Sequence, residues 1–586
     1  MTDQEQARGH VGAAGVTFEL PVSVEWNVAA RMRDGVVLRA DIYRPGGPGP
    51  WPTLLTRYPY GKNDVVNHFF AGIDPVDAAR SGFMVVVQDS RGSFSSGGEW
   101  EPWRHEREDG YDTVEWAAKL PGSNGRVGMY GQSYHGFTQW AAAIERPPSL
   151  KAIAPSMITS DGADGLLHRG GALELGFEAV WSLLMASGQL PRLGLSSDEL
   201  ARRIEQAVDM CDELDDLGSG DAKGSSALWT LPIRDLEKWW GALGTSFGAG
   251  SIRATHDAKV LEYLNVVDHH DQIEVPSLNT GGWYDTFLQG TLDNYTGMQD
   301  RDREACLVVG PWSHRDYGSL IGDLAFGSRS SRDSSSLSHH GAWATMHYAW
   351  FRRHLLPELD LEFARQPVRI FVMGRNEWRD ETEWPPKRAH NERWYLHGGG
   401  LILPGRPETE SIEPTEFTYD PTNPVLTHGG TAILTPSIKS PGPYDQQGVE
   451  QRDDVVTFTS APLEHELDVT GRVRVILRAQ SSAPSTDWVA RLCDVHPDER
   501  SYNIVDGISR VTNADRECHV EIDLHSTSNV FLVGHRIRLQ VTSSCFPRWD
   551  LNLNTGNQDQ SDCVPARQRI FHDTHRESYI ELPVIP

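Results

Sequence analysis

The sequence predicts an α/β architecture built on a parallel sheet, interrupted by a helical insertion and completed by a β-rich C-terminal third. Three observations carry this expectation. Six short apolar runs each end in Gly, Pro or small polar residues: PTLLTRYPY (52–60), GFMVVVQDS (82–90), GRVGMYGQS (125–133), KAIAPSMI (151–158), EVPSLNTGGWYD (274–285) and REACLVVGPWSH (303–314). Their apolarity is continuous rather than alternating, as in strands buried on both faces. Helical stretches such as DGYDTVEWAAKL (109–120) and FTQWAAAIE (137–145) lie between them, which makes a βαβ series. In the last 230 or so residues the pattern becomes alternation with Gly, Pro and Asn turns, as in VRVILRAQSS (473–482), HVEIDL (519–524) and HRIRLQVTSS (535–544), the mark of a sandwich or jelly roll.

In chain order, VAARMR and VVLRADIY flank Asp34-Gly35 and read as a β-hairpin ahead of the series. Between about Thr159 and Asp268 the strand-like runs give way to helical stretches, GALELGFEAVWSLLMASGQL (171–190) and DLEKWWGAL (235–243), the insertion. A helix-like run, HGAWATMHYAWFRRHLL (340–356), closes the series. The expected segments are 1–158 and 269–365 for the two parts of the α/β domain, 159–268 for the insertion and 366–586 for the β-rich domain.

The 586 residues carry 54 Lys and Arg against 81 Asp and Glu, a net charge of −27 that repels phosphate backbones and anionic membranes and, with no basic patch, excludes nucleic-acid and polybasic membrane roles. No run approaches the ~18–20 apolar residues needed to span a bilayer. The first 15 residues lack the basic and apolar regions of a secretion signal, and the six cysteines form no CxxC pair, so a cytoplasmic chain with free thiols is expected.

Two serines compete as nucleophile. Gly244-Thr245-Ser246-Phe247-Gly248 fits G-x-S-x-G, but it lies in GALGTSFGAG with no strand leading in and reads as a loop. Around Ser133 the spacing is G-x-S-x-x-G, from Gly131 to Gly136, yet RVGMY precedes it and FTQWAAAIE follows, the strand-to-helix context that lifts Oγ clear of the backbone. A serine hydroxyl needs a histidine to take its proton and a carboxylate to orient that histidine. Asp285 and His314 close the fifth and sixth runs, in the order Ser, Asp, His, at the sheet edge where such sites lie.

The motifs GMYGQSYHGFTQW around Ser133, GGWYD, GPWSH, RYPYGK, QDSRGSFSSGGEW, MRDGVVLRADIYRP and TSNVFLVGHRIRLQVTSS resemble the cocaine-esterase-like (CocE/NonD) hydrolases, relatives of the X-Pro dipeptidyl-peptidases and α-amino-acid ester hydrolases, over nearly the whole chain. The resemblance implies an α/β-hydrolase fold with an inserted helical cap and a C-terminal jelly roll. It also implies Ser133, Asp285 and His314 as the triad, with the Tyr134 N–H and the Tyr60 hydroxyl as oxyanion hole. Phe287, Ile433 and Leu434 match pocket-lining positions of the esterase, and the insertion aromatics Phe177, Trp181, Trp239 and Trp240 are further wall candidates. His135 borders the nucleophile and offers no anionic anchor for a substrate ammonium group.

The expected activity is hydrolysis of carboxylic esters of small molecules through an acyl-enzyme, with no cofactor and no metal. An acylase or Xaa-Pro dipeptidyl-peptidase-like amide hydrolase is the alternative, and a binding protein with a silent hydrolase domain a remote one. His269-His270 and His339-His340 lack any partner motif for a metal. The glycine-rich run after Asp89 lacks the Gly-Lys-Ser/Thr of a phosphate cradle and reads as a loop in which Asp89 pairs with Arg91. A homodimer is left open.

Overall fold

The computed structural model describes residues 11–12, 15–16, 20–64, 71–219, 222–245, 258–410, 412–433 and 439–586. Its N-terminal domain is built on a ten-stranded sheet: β1 (Val22–Arg31), β2 (Val37–Pro45), β3 (Trp51–Tyr58), β4 (Met84–Asp89), β5 (Ser123–Gln132), β6 (Leu150–Ser156), β7 (Ser277–Tyr284), β8 (Ala305–Ser313), β9 (Val368–Val372) and β10 (Glu377–Glu381). Their spatial order is β1-β2-β4-β3-β5-β6-β7-β8-β9-β10. From β4 to β9 every pairing is parallel, and the hairpin β1–β2 and strand β10 add antiparallel edges. The apolar runs form the parallel strands because both faces are covered: all six residues of β4 and all eight of β7 are buried.

Two cores flank the sheet. Helices α1 (Pro75–Arg80) and α8 (Trp343–Leu355) supply Ala78, Ala79, Trp343, Met346 and Trp350 to one. Helices α2 (Glu106–Ala118), α3 (Tyr134–Ile144) and α7 (Leu288–Gln299) supply Val114, Phe137, Trp140, Leu288 and Leu292 to the other. The strand order reverses between β3 and β5, whose following helices α1 and α3 lie on opposite faces, which opens a crevice at the carboxyl ends of those strands.

Residues between β6 and β7 are largely helical, with α4 (Leu175–Gln189), α5 (Ser197–Asp215) and the short α6 (Leu236–Gly241). Ser196 caps α5 by accepting from the Glu199 N–H. These helices share an apolar core of Leu183, Leu190, Met210, Leu214 and Trp240 with Phe546 and Leu551 of the C-terminal domain, while Phe177, Trp181 and Met185 pack with Trp103 and Phe287 of the N-terminal domain, so the segment is wedged between the two. The C-terminal domain is a separate β-rich unit of eleven strands, antiparallel except where Leu401–Leu403 meets Val456–Thr459. Strands β9 and β10 lie beyond residue 366, where the sequence reading starts that domain, yet they hydrogen-bond to the parallel sheet. VRIFV is apolar at four of five positions, which suits a strand covered on both faces.

Candidate active site

Ser133 sits between β5 and α3 at φ 61°, ψ −127°, a backbone state that costs a residue with a Cβ about 1–3 kcal/mol. Hydrogen bonds on both sides hold it there: its N–H donates to the Ser156 carbonyl at 3.0 Å, and its carbonyl accepts from Gly136 N–H at 2.7 Å and Phe137 N–H at 3.0 Å. The two flanking glycines have distinct causes. At Gly131, φ is +128° and a Cβ would lie 2.5 Å from the Cβ of His135. At Gly136 a Cβ would meet Ile158 Cγ2 at 3.0 Å and the Ser156 carbonyl at 3.2 Å. The glycine is displaced to the third position after the serine because the second is occupied by His135. That ring stacks on Tyr58 at 4.1 Å, and its Nδ1 is 3.0 Å from Thr56 Oγ1.

Asp285 and His314 follow neighbouring strands whose register pairs Tyr284 with Ser313, so the next residues emerge side by side. Asp285 Oδ2 lies 2.6 Å from His314 Nδ1, and its Oδ1 accepts from the Phe287 N–H at 2.9 Å. The carboxylate is fully buried and the imidazole nearly so. This contact selects the histidine tautomer with the proton on Nδ1 and leaves Nε2 as the basic nitrogen. The His314 carbonyl accepts from Gln132 Nε2 at 2.5 Å, Tyr317 donates its hydroxyl to Gln132 Oε1, and Phe287 packs its ring against the imidazole at 5.3 Å and 76°. Gln132, beside Ser133, therefore ties the His314 loop to the strand-to-helix turn.

Tyr60 emerges from β3, next to β5 at the switch point. Its hydroxyl accepts from Trp181 Nε1 at 3.2 Å, and burial pushes it up to about 12, so it stays a neutral donor. Tyr134 opens α3, where the N–H has no intrahelical acceptor. Its side chain points away into structure: the hydroxyl donates to Glu106 at 3.0 Å and accepts from the Trp103 N–H at 3.0 Å, and Glu106 pairs with the fully buried Arg57. The loop carrying Tyr60 is held by two contacts that sequence reasoning missed. The Lys62 N–H donates to Asp89 at 2.7 Å, and its Nζ pairs with Asp41 at 3.0 Å, all of them buried. Burial pushes Asp89 up to about 6. The expected Asp89–Arg91 pair does not form: Arg91 pairs instead with the buried Asp109 at 2.6 Å and the exposed Asp34 at 2.7 Å.

A cavity of about 700 Å³ joins these groups. It is lined by Tyr60, Ser133, His135, Phe177, Trp181, Phe287, His314 and Ile433. Leu434 and Ser246 lie outside the described residues. Trp239 and Trp240 do not line it; Trp240 is buried in the back of the helical segment and donates to the Ala179 carbonyl. Walls that were not anticipated include Trp103, whose ring stacks between those of Tyr134 at 4.2 Å and Trp181 at 5.4 Å, the charged Asp64 and Arg315, and one face of α5. The paired histidines serve structural bonds, His270 to Asn294 at 3.0 Å and His340 to the Phe363 carbonyl at 2.5 Å. Among the described residues, Asp494, His496 and His535 of the C-terminal domain bring ligand-type atoms within 4.8 Å of one another.

Residues 34–316 match the family model of the X-Pro dipeptidyl-peptidases (S15 family), and residues 363–581 match that of the X-Pro dipeptidyl-peptidase C-terminal non-catalytic domain. Together with the sheet order and the elbow, this makes the protein a serine hydrolase with an α/β-hydrolase-like N-terminal domain. A cocaine esterase from Rhodococcus sp. (strain MB1 Bresler) is 36% identical over 591 residues, spanning 96% of this chain and 99% of the esterase. The chain belongs to the cocaine-esterase-like CocE/NonD family. Among solved structures, an α-amino-acid ester hydrolase superposes with a TM-score of 0.79 at 24% identity, covering 100% of this chain and 99% of its own. A CocE/NonD family hydrolase from Staphylococcus aureus gives 0.66 at 17% identity over 96% and 94%. No helix among the described residues is long and apolar enough to cross a membrane.

Proposed function

We propose that this chain hydrolyses carboxylic esters by way of a Ser133 acyl-enzyme. His314 Nε2 takes the Ser133 proton as Oγ attacks the acyl carbon, then delivers it to the leaving alcohol; water repeats the cycle on the acyl-enzyme. Asp285 holds the tautomer and stabilises the imidazolium. The Tyr60 hydroxyl and Tyr134 N–H receive the oxyanion, charge that exists only in the tetrahedral intermediate and its transition states. The observation that carries the reading is the 2.6 Å Asp285–His314 contact with Ser133 and His314 lining one cavity.

In this reading the helical segment acts as a cap over the crevice and the C-terminal domain is a jelly roll that begins beyond β10. Six cysteines without a disulfide fit a cytoplasmic enzyme. The test is p-nitrophenyl acetate turnover and fluorophosphonate labelling of wild type and Ser133→Ala; equal turnover by the two would sink the proposal. A second reading, amide cleavage of substrates bearing an ammonium group, is favoured by one observation, the Asp64 carboxylate at the cavity wall. A panel of Xaa-Pro anilides and α-amino esters against neutral esters separates the two.

A further inference from the structure

The cavity does not end at the proposed triad. It continues along the helical segment between α4 and α5, past Leu184 and Gly188 on one side and Ile204, Ala207, Val208 and Cys211 on the other. The four α5 positions fall at i, i+3, i+4 and i+7, one helical face. This face meets the one that builds the core, made by Ala207, Met210 and Leu214, only at Ala207, and its two large side chains, Ile204 and Val208, stand outside that core. Leu184 is 51% exposed, Ile204 49% and Val208 55%, so three large aliphatic side chains stand together half in solvent. Such a patch, contiguous and concave, marks a surface meant to be covered.

Its charge pattern narrows what covers it. From Trp181 to Cys211 the described lining residues include no charged side chain, although α5 carries many. Glu199, Arg202 and Arg203 pair with one another instead, through Arg202 and Arg203 to Glu199. The mouth is also built rather than incidental. Phe94 lines it with φ at 40°, a left-handed state unusual for an aromatic residue. The loop is held by Arg192, in the short turn that follows α4, whose guanidinium donates to the carbonyls of Phe94 at 2.8 Å, Ser96 at 2.7 Å and Gly98 at 3.0 Å. A cavity of about 700 Å³ falls in the range of about 300–1,000 Å³ that takes drug-sized ligands, more than an acetyl or propionyl ester fills.

We infer that the substrate is an ester whose acyl or alcohol part carries an extended, uncharged apolar chain, and that this chain lies in the α4–α5 groove while the ester group sits at Ser133. The inference rests on the ester-hydrolase reading. Continuity of the groove with the site of bond cleavage is what assigns the occupant: a chain attached to the reacting ester enters it without leaving the cavity.

The experiment uses two series on the full chain, p-nitrophenyl esters from acetate to dodecanoate and alkyl acetates from methyl to decyl. In one of them kcat/KM should rise by roughly fourfold for each methylene that enters the groove, and the series that responds identifies the side of the ester that binds there. The double variant Ile204→Gln with Val208→Gln should lower the long-to-short ratio of kcat/KM by about tenfold or more, and Leu184→Gln should lower it in the same direction. All three side chains are half-exposed, so melting curves should match wild type. A flat length dependence in both series, a ratio untouched by the variants, or the same α4–α5 face found covered by a second copy of the chain in solution would overturn the groove while leaving the esterase reading intact. No turnover of any ester, short or long, would instead overturn the esterase reading itself.

Discussion

Replacing Tyr60 by Phe removes one oxygen and tests the proposed oxyanion hole at its least expected member. The phenyl ring keeps its neighbours, since Tyr60 packs edge-on against Tyr134 at 6.2 Å and lies 6.1 Å from His135. What is lost in the ground state is the acceptor for Trp181 Nε1, at 3.2 Å, worth about 0.5–1.5 kcal/mol of stability. What is lost in the transition state is a neutral donor aimed at developing negative charge, about 2.7–4 kcal/mol, or 10²–10³ in kcat. The two losses differ enough to be read separately, the first by urea unfolding and the second by steady-state kinetics. KM should change little, because an uncharged carbonyl gains far less from the donor than an oxyanion does. Burial raises the hydroxyl to about 12, so the wild type should show no loss of activity from Tyr60 ionisation below about pH 11. A Tyr60→Phe enzyme with kcat within twofold of wild type and normal stability would refute the assignment and leave the Tyr134 N–H in need of a different partner.

Asp285→Asn should lower kcat by about 10⁴ with the fold intact, since the amide accepts poorly and no longer selects the productive tautomer of His314; kcat within tenfold of wild type would remove Asp285 from the triad. Gly131→Ala forces a Cβ to 2.5 Å from that of His135 at φ +128°, so it should shift the elbow and slow fluorophosphonate labelling of Ser133 by about 100-fold; an unchanged labelling rate would contradict the steric account. Glu178 is buried in α4, and burial, with Glu174 nearby, pushes it from about 4.5 up to about 8. The folded state then holds a proton that the unfolded chain releases, so stability present below about pH 4.5 is lost as pH rises toward 8, by up to about 4–5 kcal/mol. Glu178→Gln should flatten urea midpoints measured from pH 5 to pH 8, and an unchanged slope would show that Glu178 is not the group titrating.

The proposed triad was legible in the sequence because each member closes an apolar run, and a parallel sheet brings the ends of such runs to one edge. Asp285 and His314 meet because Tyr284 and Ser313 are in register, and that register was not readable from the residues themselves. Tyr60 drew attention only through the family motif, since nothing local distinguishes it from a packed aromatic. The clamp of Asp41, Lys62 and Asp89 was invisible because its members come from three different segments, and a buried ion pair is set by how segments approach rather than by spacing. The Asp89–Arg91 expectation failed for the same reason: nearness along a loop lost to Asp109 on α2 and Asp34 in the hairpin turn. Trp239 and Trp240 misled because a helix of six residues can turn its aromatics to either side, and the core behind α4 took Trp240.

The division of labour in the fold explains why machinery and specificity should respond differently to mutation. The proposed chemical groups leave β3, β5, β7 and β8, strands of one sheet spaced about 4.8 Å apart and cross-bonded along their length, so their relative positions are fixed by backbone geometry. The cavity wall opposite them comes from α4 and α5, helices held by side-chain packing that is shared with the C-terminal domain through Phe546 and Leu551. Changes in α4 and α5 should therefore alter which ester is preferred while fluorophosphonate still reaches Ser133. Changes at Gly131, Gln132 or Asp285 should depress every substrate together. The C-terminal domain supplies little of the cavity directly, Ile433 among the described residues, yet it supports the back of the helices that shape it. A cavity-creating Phe546→Ala should accordingly cost about 3–5 kcal/mol of stability and shift ester selectivity before it touches the chemistry at Ser133.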